Sequence, residues 1–276
     1  FNAEGFRSVA FKKHRTPRKR ILLIGDSFVY GMSAAPFYNS FYDVLLSKGY
    51  LVYAAGIPGT DPAQYAAIAR KYVPLLQPDA VIVCFYPGND LMPYPRQPNT
   101  AEPYEHITNA GLLSSHINGK YYNAEDTYRY YLNLITIPRN GTLTNRFLSA
   151  TATGTLLWNA LRKAGIIHFT EPELKFQKLL PLTGQIAATK TCVDGWSAAC
   201  DTAGAALYNV FLPDYFSPLD TRETVTCDTA LAAALFGQRY YFPDSFNRKK
   251  DFPDNDYHFN NTGSRKFGEY LFALLR

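Results

Sequence analysis

Ser27, Gly59, Asn89, Asp256 and His258 are the residues whose types and positions bear on chemistry. Ser27 ends the run Ile21-Leu22-Leu23-Ile24-Gly25-Asp26-Ser27, in which four apolar residues of strand type lead into a glycine turn, with a helix-compatible segment beyond. That order sets a hydroxyl at a helix N-terminus, where unpaired backbone N–H groups and the helix dipole favour a developing negative charge. A hydroxyl is a weak nucleophile and needs a base within hydrogen-bond reach; His258 can serve. The imidazolium so formed needs a carboxylate to orient and stabilise it, and Asp256 is the nearest. A tetrahedral oxyanion needs donors, and the backbone N–H of Ser27, the backbone N–H of Gly59 and the side-chain amide of Asn89 supply three. The chemistry these groups suit is attack of serine on an acyl carbonyl, with no metal and no cofactor.

Each residue also has a plain structural reading. A serine after Gly-Asp is an ordinary helix N-cap. Gly59 follows Pro58 and suits a turn. Asn89-Asp90 can cap a helix, and His258 is one of five histidines, with His14, His106, His116 and His168, any of which can be a surface residue. The case for chemistry is joint. Open α/β sheets bind ligands beyond the carboxyl ends of their strands, and these residues fall just past strand ends or just before the last helix, in order.

The elements that must position them follow from the apolar pattern. Ile21–Ile24 is a first strand, Phe28–Gly31 a helical turn, and Tyr38–Leu46 a helix by its apolar spacing. Tyr50–Ala55 is a second strand. Asp61 caps a helix with Pro62 at its first position, running to Leu76. Asp79–Tyr86 is a third strand, apolar on both faces as a central parallel strand should be. From Leu91 to Lys190 the rhythm breaks into a Pro-, Tyr-, Asn- and Thr-rich stretch with one helix near Thr155–Ala164, read as an insertion or lid within the domain. A helix over Asp194–Ala203, a strand over Ala206–Leu212, a helix over Thr221–Phe236 and a short strand over Arg239–Phe242 resume the alternation. A loop from Pro243 to Asn260 then leads to a last amphipathic helix carrying Phe267, Tyr270, Leu271, Leu274 and Leu275 on one face. Alternating strands and helices at this spacing predict a doubly wound α/β domain with right-handed crossovers.

Composition bounds the rest. With 276 residues, 47% hydrophobic and 18% charged, the chain can bury a sizeable core and is not a disordered chain. The formal charge of +5 owes much to residues 12–20. Nucleic acid or a membrane surface is one partner for such a run; the reading preferred is a solvated lead-in to the first strand, within a polar, basic lead-in over 1–20, and no second basic cluster with interleaved aromatics supports a nucleic-acid partner. Cys84, Cys192, Cys200 and Cys227 form no Cys-x-x-Cys pair, which argues against a zinc ribbon. Cys192 and Cys200 can close a small disulfide loop unless they share one helix, where they would stand two turns apart. No apolar run has the length of a membrane span. The first residue is Phe1, so the chain is expected to be a fragment or a processed product.

The motif segments resemble the SGNH, or GDSL-type, hydrolase family. Gly25-Asp26-Ser27 matches its Gly-Asp-Ser block, with Ser27 at the nucleophile position. Gly59 matches the glycine of its second block, Gly88-Asn89-Asp90 its Gly-x-Asn-Asp block, and Asp256 with His258 its last block. The resemblance covers Arg18 to Arg276 apart from the Leu91–Lys190 stretch. It implies a single three-layer α/β/α domain over 1–276, flavodoxin-like, with a parallel sheet of about five strands. It implies a serine ester hydrolase working through an acyl-enzyme on a small-molecule or glycan ester, with short acetyl groups favoured, and export to a bacterial cell envelope or beyond. Two departures stand out. The common last block has its acid three residues before the histidine, where this chain has Asn255, so the acid is Asp256 or Asp254; variants of Asp-x-His form among members tied to carbohydrate acylation favour Asp256. Members often carry Asn at the exit of the second strand, where this chain has Ala54. A carbohydrate O-acyltransferase on the same fold is the alternative within this chemistry, and a silent glycan- or protein-binding module the alternative outside it.

Overall fold

The computed structural model describes residues 1–13, 16–34, 40–91, 115–117, 120–122, 152–164, 181–213, 224–225, 227–243, 246–253 and 256–276. The chain divides into two compact units, one of residues Phe1–Leu112 with Leu179–Arg276, the other Leu113–Lys178. In chain order the elements are β1 (Arg20–Gly25), α1 (Ser27–Tyr30), α2 (Phe41–Ser47), β2 (Leu51–Gly56), α3 (Pro62–Leu76), β3 (Ala80–Phe85) and α4 (Pro87–Asp90). The second unit contributes an antiparallel pair, β4 (Ser115–Ile117) with β5 (Lys120–Tyr122), and α5 (Ala152–Lys163). The first unit resumes with α6 (Leu182–Ala203), β6 (Ala206–Phe211), β7 (Thr224–Val225), α7 (Thr229–Phe236), β8 (Tyr240–Tyr241), β9 (Phe246–Asn247), α8 (Arg248–Asp251) and α9 (Asn261–Leu274).

Five strands form one parallel sheet in the order β2-β1-β3-β6-β8. That is the 2-1-3-4-5 order of a flavodoxin-like sheet. The continuous apolar strands explain why helices cover both faces: Ile21, Leu22, Leu23 and Ile24 of β1 are all fully buried. Leu22 and Ile24 pack with Tyr65, Ile68 and Tyr72 of α3, Trp196 of α6 and Phe236 of α7. Ile21 and Leu23 pack on the other face with Phe41 and Leu45 of α2 and Phe267 and Leu271 of α9. Burial of side chains this size contributes about 2 kcal/mol each. Trp196 Nε1 donates to Asn209 Oδ1 at 3.0 Å, and Asn209 Nδ2 donates to the Arg239 carbonyl at 3.3 Å, so one amide ties α6, β6 and the approach to β8 together.

Lys12, Lys13, Pro17, Arg18 and Lys19 are exposed, but the residues ahead of this basic run are not all polar surface. Phe6 and Phe11 are buried in the α3-side core, Phe6 edge-on to Tyr72 at 5.8 Å and Phe11 edge-on to Tyr53 at 5.8 Å. Ser8 Oγ accepts the Ala54 N–H at 2.8 Å, and Tyr53 donates its hydroxyl to the Lys12 carbonyl at 2.8 Å. β2 is an edge strand, and an edge left bare is a template for pairing with another chain. The Phe6–Lys12 segment covers it, anchored by two aromatic rings with Val9 packed beside them.

Four other boundaries differ from the sequence expectation. α6 starts at Leu182, not Asp194, because its buried stripe Thr189, Cys192, Val193, Trp196 and Cys200 keeps helical spacing through a Thr- and Gly-containing start of low intrinsic propensity. Cys192 and Cys200 therefore share one helix, and both are free thiols. α7 starts at Thr229 because Asp228 caps it, accepting from Leu231 N at 2.9 Å; Thr224 and Val225, expected inside this helix, pair with β9 instead. The expected loop over 243–260 holds β9 and α8, the latter capped by Asn247. α2 runs Phe41–Ser47, and Tyr38, where its start was expected, lies outside the described residues, as does most of 91–190.

Candidate active site

β1 delivers Ser27 into the first turn of α1. Asp26, not Ser27, is the N-cap: its Oδ1 accepts the Phe28 N–H at 2.9 Å. The Ser27 hydroxyl is thereby left for other partners. α1 lies close against the end of β2, whose last residue Gly56 is in register with Gly25. A Cβ on Gly56 would stand 2.2 Å from the Tyr30 backbone nitrogen, so only glycine lets the helix bearing Ser27 seat here.

His258 comes from the loop ahead of α9 and is buried at 7% exposure. Its Nε2 lies 2.7 Å from Ser27 Oγ, and its Nδ1 lies 2.6 Å from Asp256 Oδ1. An ionised carboxylate only accepts, so the proton sits on Nδ1 and Nε2 is the acceptor for the Ser27 hydroxyl. Asp256 Oδ1 also accepts the His258 backbone N–H at 3.2 Å, and its Oδ2 accepts the Ser33 hydroxyl. Burial pushes the Asp256 carboxyl up, but the bonds from Ser33 and from the backbone and ring of His258 outweigh burial and hold it below its ordinary range. Asp254, the alternative acid, lies outside the described residues. The imidazole is walled by Phe28, 5.1 Å away between centroids, and by Tyr257 at 4.3 Å, itself stacked on Tyr86 at 5.5 Å.

Asn89 sits on α4, the single turn after β3, and donates Nδ2–H to Asp26 Oδ2 at 3.1 Å. A primary amide has a second N–H, so this bond orients Asn89 beside the Ser27 turn without using all of its donor capacity. Gly59 takes φ +75°, a left-handed conformation that glycine adopts without strain, in a turn where Thr60 N–H returns to the Ile57 carbonyl at 3.3 Å. Ile57 N–H in turn donates to the Gly25 carbonyl at 3.3 Å, which fixes this turn to the end of β1. The structure thus joins Ser27, His258 and Asp256 by direct bonds and Asn89 through Asp26. Among the described residues no hydrogen bond joins Gly59 to that group.

Two buried carboxyl groups outside the set of residues expected to carry chemistry lie beneath. Asp26 and Asp90 are fully buried. Asp90 Oδ2 accepts the Tyr86 N–H at 2.7 Å and its Oδ1 accepts the Tyr65 hydroxyl at 2.8 Å. Burial raises the pKa of Asp26 against the bonds from Phe28 and Asn89; burial and then the charge of Asp26 raise that of Asp90 well above the ordinary range. A carboxyl whose folded-state pKa is raised gives stability that is complete below the unfolded value of about 4 and is lost as pH rises through the folded value. Asp90→Asn keeps an acceptor for Tyr86 N–H and removes the titration. The urea midpoint of the native chain should fall as pH rises from about 4, and the variant should show a smaller fall. An unchanged pH dependence would rule out this account of Asp90.

Among the described residues no group of three or more His, Cys, Asp and Glu is placed to hold a metal ion, and no helix is long and apolar enough to cross a membrane. No family model and no curated protein matches the chain. Solved structures similar to the chain include the Clostridium thermocellum family 3 carbohydrate esterase, at 13% identity and a TM-score of 0.41 over 93% of this chain and 94% of that one. A GDSL-like lipase from Bacteroides thetaiotaomicron is similar at 13% identity and a TM-score of 0.30, over 93% of this chain and 87% of that one. Likeness at this level does not bear on activity.

Proposed function

We propose that this chain is a serine-dependent ester hydrolase that works through an acyl-enzyme on short acyl esters, acetyl esters of a carbohydrate being the favoured class. The observation that carries the reading is the unbroken hydrogen-bond chain Ser27–His258–Asp256. As Ser27 Oγ bonds to the acyl carbon, His258 Nε2 takes the hydroxyl proton and Asp256 stabilises the imidazolium. The carbonyl oxygen becomes an oxyanion, met by the Ser27 N–H in the first turn of α1, the Gly59 N–H and the second N–H of Asn89. Collapse breaks the ester C–O bond, and His258 returns its proton to the leaving alcohol. Water then repeats the sequence on the acyl-serine, with His258 again as base, and releases the acid.

A series of p-nitrophenyl esters from acetate to octanoate tests the reading. Turnover should be highest with acetate, and a fluorophosphonate should label Ser27. Turnover rising towards octanoate would overturn the short-acyl assignment; no turnover with no labelling would overturn the esterase itself. Asn89→Ala removes one oxyanion donor and should lower kcat by about 10²- to 10³-fold with little change in KM, measured on the acetate ester.

A further inference from the structure

We propose that Ser33 is a positioning residue for the acid–base pair, its hydroxyl holding Oδ2 of Asp256 so that Oδ1 stays on His258 Nδ1. The inference rests on the reading of Ser27, His258 and Asp256 as a catalytic set. It adds a residue from outside every motif segment.

Asp256 stands only two residues before His258, and both of its bonds to that residue, from the backbone N–H and from Nδ1–H, fall on Oδ1. Two bonds on one oxygen leave the carboxylate able to pivot about Cβ–Cγ, a torsion with a broad preference in aspartate. The side chain of Asp256 is also 33% exposed, against 9% for His258, so water competes for its second oxygen. Ser33 takes that oxygen from a point 223 residues away in sequence. A third bond, on the other oxygen, removes the pivot. After burial, which opposes ionisation, the Ser33 bond is the foremost influence keeping Asp256 ionised.

The origin of Ser33 matters as much as its contact. It lies in the turn that closes α1, where Gly31 N–H bonds to the Phe28 carbonyl at 3.0 Å and Met32 N–H to the Ser27 carbonyl at 3.0 Å. The hydroxyl that fixes the acid therefore hangs from the same short piece of backbone that carries Ser27. The nucleophile and the acid are referenced to one element, and His258 is held between them.

The test is a double-mutant cycle on Ser33→Ala and Asp256→Ala. It is read as kcat/KM on p-nitrophenyl acetate and as the rate of fluorophosphonate labelling of Ser27. Ser33→Ala alone should lower both rates by about 10- to 100-fold, the worth of a hydrogen bond to a charged group. In the Asp256→Ala background it should change them by less than about twofold, because a residue that acts only through Asp256 has nothing left to act on. Ser33→Thr keeps the donor and should stay within about threefold of the native chain. Equal losses in the two backgrounds, an unchanged Ser33→Ala chain, or a Thr variant as slow as the Ala variant would each overturn the proposal. Failure of the esterase reading is seen separately, in a native chain that neither turns over esters nor is labelled at Ser27, and it would overturn this proposal with it.

Discussion

Ser27→Ala is expected to remove ester turnover, by at least about 10⁴-fold in kcat, while the chain melts within a few degrees of the native temperature. The two halves of this expectation come from different bonds. Among the described residues the hydroxyl's hydrogen bond is with His258 Nε2 at 2.7 Å, and its loss leaves no acyl-accepting oxygen in the set. The fold does not need it, because the capping bond to the Phe28 N–H comes from Asp26. Had Ser27 been the cap, its removal would have cost about 1 kcal/mol of stability as well. His258→Ala should cost about as much activity as Ser27→Ala, and the two together little more, since residues acting as a unit are not additive. Activity assay and thermal melting of the three variants check this. An active Ser27→Ala chain, with His258→Ala inactive, would move the nucleophile elsewhere.

The sheet and Ser27 could be read from sequence because the strands announce themselves locally, and Asp256 and His258 because they stand together just before the last helix. β1 and β3 are unbroken apolar runs with glycine or proline at the exit, and the glycine-aspartate-serine exit leaves few other conformations. Asp61 with Pro62 marks the start of α3, where Asp61 Oδ1 accepts the Ala63 N–H at 3.0 Å; the structure adds Gln64, whose Oε1 accepts the Asp61 N–H at 2.8 Å to complete a capping box. What escaped were features made by contacts distant in sequence. Ser33, Ser8 and Tyr65 are ordinary polar residues in their own neighbourhoods; each gains its meaning from a partner 223, 46 or 25 residues away.

Some signals were present and outweighed. Ser115-His116-Ile117 and Lys120-Tyr121-Tyr122 flank Asn118-Gly119 in the sequence, the strongest short hairpin signal there is, and those two runs pair as β4 and β5. Phe6 and Phe11 stand in a lead-in whose polar, basic character is set by residues 12–20, and the charge of that run hides the two core rings ahead of it. Asp26 shows the deeper difficulty. Its type is a fixed part of the motif, yet its work, capping α1 through Oδ1 and holding Asn89 through Oδ2, depends on α4 reaching it from the end of β3. Motif positions name the residues; only the sheet order says which of them meet.

Asp256→Asn is the second large effect, a fall of about 10³- to 10⁴-fold in kcat, with Asp254→Asn changing kcat by less than about threefold. Asparagine fits the space of aspartate, so the loop and the position of His258 should persist. The chemistry changes in two ways. The negative charge that stabilises the imidazolium is gone. The amide can also turn its N–H₂ towards Nδ1, which forces the ring proton to Nε2, where it faces Ser27 and cannot accept the hydroxyl proton. The folded-state pKa of Asp256 is lowered, so its contribution to stability is present above the unfolded value of about 4 and is lost as pH falls below it. The Asn variant should therefore unfold more easily than the native chain near neutral pH, and the two should converge in acid; with a third of the side chain exposed, solvent screening keeps that difference small. Turnover on the acetate ester and urea unfolding at two pH values measure both. A larger loss in Asp254→Asn than in Asp256→Asn would assign the acid to the other carboxylate, and the 2.6 Å contact between Asp256 and His258 would then be an ion pair of the loop and not part of the proton relay.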